Sequence, residues 1–289
     1  MATRALLLAL WVASADGALT WTESTGTADG SLPVALRKIV VVVLDDTIYV
    51  IGGNDSDGAR TDWSVDTVYY STNPVANGWS TAENVLPAAV MSSGAAVLSS
   101  TIYVVGGWSG SALVGTAYSS ADPDGAGWTT EIAMPDVLSD TVMVTFNSKI
   151  YAIGGAGSGN RPIDKVHYTS DAAIWAEGEN LPSVTVYHAV VVFDSKIYVL
   201  GGNNGDATSV VYYSTDPSSV AWTTGTPLSA RAQHVHTGVV VLHSAIYLIG
   251  GPVDYGANTV QSSTDGVTWT ADTDSNANNM YYSVAAVLG

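Results

Sequence analysis

The sequence of 289 residues predicts an all-β protein with the architecture of a β-propeller. One hairpin pattern recurs five times: an apolar run, a two-residue polar turn, and an Ile-Tyr strand that ends in Gly-Gly. A tryptophan follows each of these hairpins at a similar distance, and no stretch shows a convincing helical period. Four short antiparallel strands per repeat are typical of a propeller blade rather than a helical solenoid.

The diglycines recur every 47 to 54 residues, at Gly52-Gly53, Gly106-Gly107, Gly154-Gly155, Gly201-Gly202 and Gly250-Gly251. A period of this length indicates a repeat architecture, in which each unit packs on its neighbours because it cannot bury its own faces. The first strand of each unit is an almost unbroken apolar run, as in IVVVVL at 39–44. Such a run predicts a strand that is covered on both faces, as the innermost strand of a blade would be.

The unit is clearest between His188 and Trp222. We predict a two-residue turn at Asp194-Ser195, and the recurring Asp-Gly and Asn-Gly pairs at a later point of the repeat indicate further hairpin turns. The diglycine is expected where backbones approach so closely that no Cβ fits. The tyrosines of the Ile-Tyr strands are predicted to lie in the core: Tyr49, Tyr103, Tyr151, Tyr198 and Tyr247.

The Gly-Gly that closes an Ile-Tyr strand and the later tryptophan resemble Kelch repeats, and the resemblance covers nearly the whole chain. It implies a Kelch-type β-propeller and does not specify a function, because one fold supports many functions. The tryptophans number six, at Trp21, Trp79, Trp128, Trp175, Trp222 and Trp269. We therefore predict six blades, of which five are complete. The sixth is incomplete and combines residues 12–22 with residues 281–289, which would avoid an exposed sheet edge.

The N-terminus supports two readings. Residues 1–15 have a basic start, a short apolar core and an Ala-Ser-Ala ending, which is the pattern of a secretory signal peptide. Alternatively, residues 6–13 form a strand of the closing blade. The first reading predicts a secreted or extracellular protein with a mature N-terminus at Asp16, and the second allows a cytoplasmic one. Residues 16–289 are predicted to form a single propeller domain.

Composition excludes several classes of partner. The formal net charge is −17, from 26 acidic and 9 basic residues. Nucleic-acid binding needs clustered Lys and Arg, so we expect no nucleic-acid partner, and anionic membranes are also disfavoured. No apolar run approaches the ~20 residues of a membrane span. We expect a monomer that uses no cofactor.

The known chemistries of Kelch enzymes leave little trace here. The copper radical oxidases of the Kelch fold need a tyrosine cross-linked to a cysteine, and the sequence has no cysteine. His234 and His236 lie two residues apart, and His188 lies in the matching loop of the preceding repeat, so the three could approach a metal together. No third ligand stands at a fixed sequence spacing from the pair, so we predict no metal site. Cofactor-free sialic-acid mutarotases of this fold leave no short motif to match. We predict no catalytic residue and keep an epimerase-like carbohydrate-active enzyme, with its site in the central pocket, as the alternative.

Recognition is expected on the face formed by the second-to-third-strand loops and the loops between blades, because these segments vary while the hairpins do not. Arg37 and Arg231 precede inner strands and would give a local positive charge for an acidic ligand. Trp108 stands where the other repeats have small or polar residues and could be an aromatic binding platform. The predicted function is non-catalytic binding of a protein or glycan by Arg37, Asn54, Trp108, Arg161, His188, Asn203, Arg231, His234 and Tyr255.

Overall fold

The computed structural model describes residues 32–55, 64–171, 173–228, 238–249 and 260–272. In chain order the strands are β1 (Leu36–Arg37), β2 (Val40–Leu44), β3 (Thr47–Ile51), β4 (Asn54–Asp55), β5 (Val68–Ser71), β6 (Ser80–Thr81), β7 (Gly94–Leu98), β8 (Thr101–Val105), β9 (Ala117–Ser120), β10 (Thr129–Glu131), β11 (Val142–Phe146), β12 (Lys149–Ile153), β13 (Ala156–Gly157), β14 (Arg161–Pro162), β15 (Val166–Thr169), β16 (Ala176–Glu177), β17 (Ala189–Phe193), β18 (Lys196–Leu200), β19 (Val211–Ser214), β20 (Thr223–Thr224), β21 (Gly238–Leu242), β22 (Ala245–Ile249), β23 (Val260–Ser263) and β24 (Thr270–Asp272). One helical turn, α1 (Pro74–Asn77), lies between β5 and β6.

These strands form five antiparallel four-stranded blades. The blades, numbered 1 to 5, are β2-β3-β5-β6, β7-β8-β9-β10, β11-β12-β15-β16, β17-β18-β19-β20 and β21-β22-β23-β24. Two short ribbons, β1-β4 and β13-β14, extend blades 1 and 3. The inner strands follow one another as β2, β7, β11, β17 and β21, each packed beside the next. The protein is therefore an all-β propeller.

The described residues form five blades and not the six that we predicted from the tryptophans. The segments assigned to the sixth blade, residues 12–22 and 281–289, lie outside the described residues, as do residues 1–15 with the signal-peptide prediction. In the described part of the chain, no helix is long and apolar enough to cross a membrane.

The two-residue turns between the first and second strands are as predicted, whereas Asn77 of the Asn-Gly pair in blade 1 ends the helical turn α1. In every blade two consecutive residues with positive φ join the first strand to the second, for example Asp194 (φ 45°) and Ser195 (φ 54°) in blade 4. This is the backbone of a type I′ turn, whose twist matches that of paired strands. The five repeat tryptophans in the described residues stand one residue before the fourth strand rather than within it, as Trp222 does before β20.

The core lies between blades and not within one. One cluster joins Leu44, Tyr49 and Ile51 of blade 1 to Ile102 and Val104 of blade 2, and similar clusters join each later pair of blades. Among the described residues, blades 2, 3 and 4 thus bury both faces against neighbouring blades, which explains their apolar inner strands. Of the predicted core tyrosines, Tyr49, Tyr151 and Tyr198 are 9%, 0% and 1% exposed, while Tyr103 and Tyr247 are half-buried. The predicted register is therefore confirmed.

Polar contacts join neighbouring blades at the end opposite the diglycines. The Tyr151 hydroxyl of blade 3 donates to Asp216 Oδ1 in the outer turn of blade 4, at 3.1 Å. Burial raises the pKa of Tyr151 to about 12, and the Ser218 hydroxyl is the main cause that lowers the pKa of Asp216 to about 2. Trp222 Nε1 of blade 4 donates to the carbonyl oxygen of Glu179, in the loop that leaves blade 3, at 2.7 Å. These contacts hold adjacent blades in register and leave the opposite face free to vary.

Candidate functional site

The diglycines position the loop face. The amide N–H of the second glycine donates to a carbonyl in the loop that precedes the next blade: Gly53 to Val90 at 2.8 Å, Gly107 to Leu138 at 2.7 Å and Gly155 to Thr185 at 2.9 Å. A Cβ on Gly107 would lie 2.6 Å from the carbonyl oxygen of Met91, and its φ is 105°. Only glycine fits a backbone so close to another in this conformation. The predicted reason for the diglycine is confirmed.

Beyond the diglycines of blades 1 to 4, the first two strands of the blade pair once more. The residue after the diglycine lies opposite the residue three positions before the inner strand; these pairs are Arg37 with Asn54, Met91 with Trp108, Ser139 with Ala156, and Val186 with Asn203. Arg37 and Asn54, two of the predicted ligand-binding residues, are therefore direct neighbours across a ribbon. Arg37 is exposed, whereas Asn54 is buried.

The pairing also connects blade 1 to blade 2. Asn54 Nδ2 lies 3.5 Å from the sulfur of Met91, and Met91 exchanges two backbone hydrogen bonds with Trp108. The carbonyl oxygen of Trp108 also accepts a bond from Ser64 Oγ at 3.2 Å. Trp108 is half-buried, so its backbone is held on both sides while part of the side chain remains exposed. Arg37, Asn54 and Trp108 thus belong to one continuous stretch of the loop face.

The other predicted residues lie farther along the face or inside the protein. Arg161 is exposed on the β13-β14 ribbon, and Asn203 Oδ1 accepts the N–H of Gly205 at 2.8 Å, which closes its own loop. His188 differs from the predicted surface position, because it is only 4% exposed and its Nε2 lies 3.1 Å from the carbonyl oxygen of Ile153. Arg231, His234 and Tyr255 lie outside the described residues.

Burial determines the protonation of His188. It lowers the pKa of the imidazole to about 4, against a smaller opposing effect of the Ile153 carbonyl. The ring is therefore neutral at physiological pH. It fills the space beside Gly154, where a Cβ would lie 2.7 Å from its Cε1. The described contacts of His188 are those of a residue that joins blades 3 and 4.

Sequence reasoning did not select a second set of residues as a site. We call this set the axial rim, and it consists of Lys38, Ser92, Asp140 and Tyr187. Each stands two positions before an inner strand, and each has a positive φ between 53° and 60°. Because the inner strands surround the propeller axis, the axial rim lies around that axis on the loop face. Ser92 N donates to the carbonyl oxygen of Lys38 at 2.9 Å, and Asp140 N donates to that of Ser92 at 2.7 Å. Backbone bonds thus link the rim across blades 1, 2 and 3.

Asp140 is a residue of the axial rim whose pKa is shifted from its ordinary value. It is half-buried, and Ser139 Oγ donates to its Oδ2 at 3.0 Å. Burial raises the pKa of Asp140, while the hydroxyls of Ser92 and Ser139 and the charge of Lys38 act in the opposite direction. Lys38 forms no ion pair with Asp140 among the described residues, so the two charges interact across a gap. Ser92 is 7% exposed, so its hydroxyl acts on Asp140 from a buried position.

No group of three or more His, Asp or Glu side chains in the described ranges could hold a metal ion. The arrangement of fold and site defines the class of the protein: a β-propeller with one scaffold end and one variable loop end. A family model described as the DUF6242 beta propeller domain matches residues 169–287, which covers less than half of the chain and includes blades 4 and 5. The chain is similar to that family over this part. No curated protein matches the chain.

Proposed function

We propose that the chain is a Kelch-type propeller and that it binds a protein or glycan ligand through its loop face, without catalysis. The Kelch assignment is supported by the five Ile-Tyr-containing hairpins, by the glycines that bond to the next blade, and by the tryptophan before each fourth strand. Binding without chemistry is supported by the composition of the face. Its exposed side chains in the described part include cations and amides, and the carboxyl of raised pKa, Asp140, is half-buried.

The observation that carries the proposal is the stretch formed by Arg37, Asn54 and Trp108. An exposed guanidinium, a buried amide and a half-buried indole are held in one place by ribbon pairing and by the contact of Asn54 with Met91. Aromatic and arginine side chains dominate the energetics of binding surfaces. Against a net charge of −17, the adjacent cations Arg37 and Lys38 also provide a local attraction for an acidic group.

The test is a combined glycan and peptide array probed with the purified chain, followed by titration of the best ligand against variants. We expect Arg37→Ala and Trp108→Ala each to weaken binding by about 1–3 kcal/mol. The control is Lys196→Ala, which removes a half-buried cation near the hairpin turn at the opposite end of blade 4. Unchanged affinity of both loop-face variants, or an equal loss with the control, would contradict the proposal.

A second function, a cofactor-free carbohydrate-active enzyme, is favoured by Asp140. A carboxyl of raised pKa beside a lysine is suited to acid-base chemistry. The test is NMR observation of anomer exchange and epimerisation in a panel of free sugars, with Asp140→Asn as the inactive comparison. If Asp140→Asn catalyses the exchange or epimerisation at the wild-type rate, this alternative is rejected.

A further inference from the structure

We propose that the axial rim of blades 1 to 3 is a carbohydrate subsite, in which Asp140 and Lys38 bind neighbouring hydroxyl groups of one sugar ring. The inference rests on the proposed binding function and gives it a ligand class. It also adds residues that sequence reasoning did not select: Lys38, Ser92 and Asp140.

The first argument is that the rim holds unused hydrogen-bonding capacity in a fixed frame. Lys38 and Asp140 come from blades 1 and 3, and two backbone bonds through Ser92 set their spacing. Their charges interact but do not meet in an ion pair within the described structure. The Ser92 hydroxyl lies close enough to the Asp140 carboxyl to lower its pKa against the larger raising effect of burial. The exposed ammonium of Lys38 has three donors, and these remain available to a ligand that can accept hydrogen bonds.

The second argument concerns ligand chemistry. A carboxylate accepts hydrogen bonds and an ammonium donates them, and a sugar hydroxyl can do both at once. A ring with adjacent hydroxyls therefore satisfies Asp140 and Lys38 together. An acidic peptide would satisfy Lys38 only, and it would bring a second negative charge to Asp140. The observations thus favour a polyhydroxylated ligand over an acidic peptide at this point of the face.

The third argument is the neighbouring aromatic ring. Met91 directly precedes Ser92 and exchanges two backbone hydrogen bonds with Trp108, so the indole and the rim are anchored to one another. Trp108 is half-buried and therefore presents part of its surface. An aromatic ring with a polar cluster beside it provides an apolar contact together with orienting hydrogen bonds.

The experiment uses the full chain and a fixed set of soluble probes: cellohexaose, chitohexaose, mannohexaose and tetragalacturonate. Binding is detected by saturation-transfer NMR and quantified by calorimetry for wild type, Asp140→Asn and Lys38→Asn. Asparagine suits the positive φ of both positions, so each variant retains its backbone conformation. The control is Asp194→Asn, the same exchange at positive φ in a hairpin turn at the opposite end of blade 4.

We expect at least one probe to bind, and each rim variant to weaken it by about tenfold while the control stays within about twofold. Wild-type affinity should also fall as the pH drops through the raised pKa of Asp140, and Asp140→Asn should remove that dependence. Sugar binding that neither rim variant weakens would overturn the subsite and leave loop-face binding intact. Binding of array peptides with no sugar bound would overturn the carbohydrate assignment alone. Failure of every sugar and peptide would overturn both proposals.

Discussion

Replacing Gly155 with alanine should show how strongly the loop face depends on its diglycines. Gly155 has a φ of 106°, where a non-glycine residue is strained by about 1–3 kcal/mol. A Cβ there would lie 2.6 Å from the carbonyl oxygen of Ser139 and 2.9 Å from the backbone nitrogen of Thr141. Neither is a side chain that could rotate away, so overpacking adds about 1–3 kcal/mol.

The chain offers a matched control four residues away. Gly159 lies in the same loop of blade 3, has a φ of 74°, and a Cβ there would meet nothing within 4 Å. Gly159→Ala therefore carries only the left-handed strain of about 1–2 kcal/mol. In both variants, alanine also lowers the entropy of the unfolded chain, which offsets about 0.4–1 kcal/mol.

We therefore expect Gly155→Ala to lower the free energy of unfolding by about 1–5.5 kcal/mol and Gly159→Ala by about 0–1.5 kcal/mol, with the overpacking at Gly155 as the main difference. Urea titration followed by tryptophan fluorescence measures both, with a check that the m-values agree. If the two variants lie within about 0.5 kcal/mol of each other, a size typical of ordinary surface substitutions, the close approach at Gly155 is not what requires glycine.

Further substitutions test single contacts between blades and the electrostatics of the rim. Tyr151→Phe keeps the packed ring but removes the bond to Asp216, and should cost about 1–2 kcal/mol in urea unfolding; no loss would show that the bond contributes nothing net. Trp222→Phe should cost about 1 kcal/mol more than Trp175→Phe, because Trp222 Nε1 has an acceptor and the buried Trp175 Nε1 has none among the described residues; equal losses would contradict this. Asp140→Asn should not lower the free energy of unfolding at pH 7, because a pKa that is raised in the folded state means that the ionised carboxyl opposes folding. Any increase in the free energy of unfolding of the variant over wild type should vanish as the pH falls through that pKa. A melting temperature well below wild type at pH 7 would assign Asp140 a structural role.

The scaffold could be predicted from the sequence because its signals are local and repeated. A two-residue turn, an apolar run and a diglycine each predict the backbone conformation of residues close to them in the sequence. Five copies then reinforce one another. The same reasoning gave six blades from six tryptophans, because a side chain that recurs in the sequence does not by itself establish a complete set of paired strands.

The candidate site was only partly predictable, since its proximities arise between blades. Arg37, Asn54 and Trp108 could be selected because they lie in the loops that vary between repeats, and Trp108 also because its counterparts are small or polar. The burial of His188 could not, because the partner that buries it is a carbonyl of the preceding blade at Ile153. His167 also appears incidental in the sequence, yet it is fully buried and its Nε2 lies 2.9 Å from Asp136 Oδ2.

The axial rim is a repeat position at which the backbone conformation is constant and the side chain varies. Lys38, Ser92, Asp140 and Tyr187 share one position of the repeat and one backbone conformation, but they share no chemistry. A structural requirement at that position would favour glycine or asparagine, which adopt positive φ most readily, in every copy. Lys38, Ser92 and Tyr187 are of residue types that seldom adopt a positive φ. We infer that the side chain at this position serves a different role in each of these blades, and that this role offsets the backbone strain. In an otherwise regular repeat, a position where the backbone is constant and the side chain varies is where we expect the ligand to be selected.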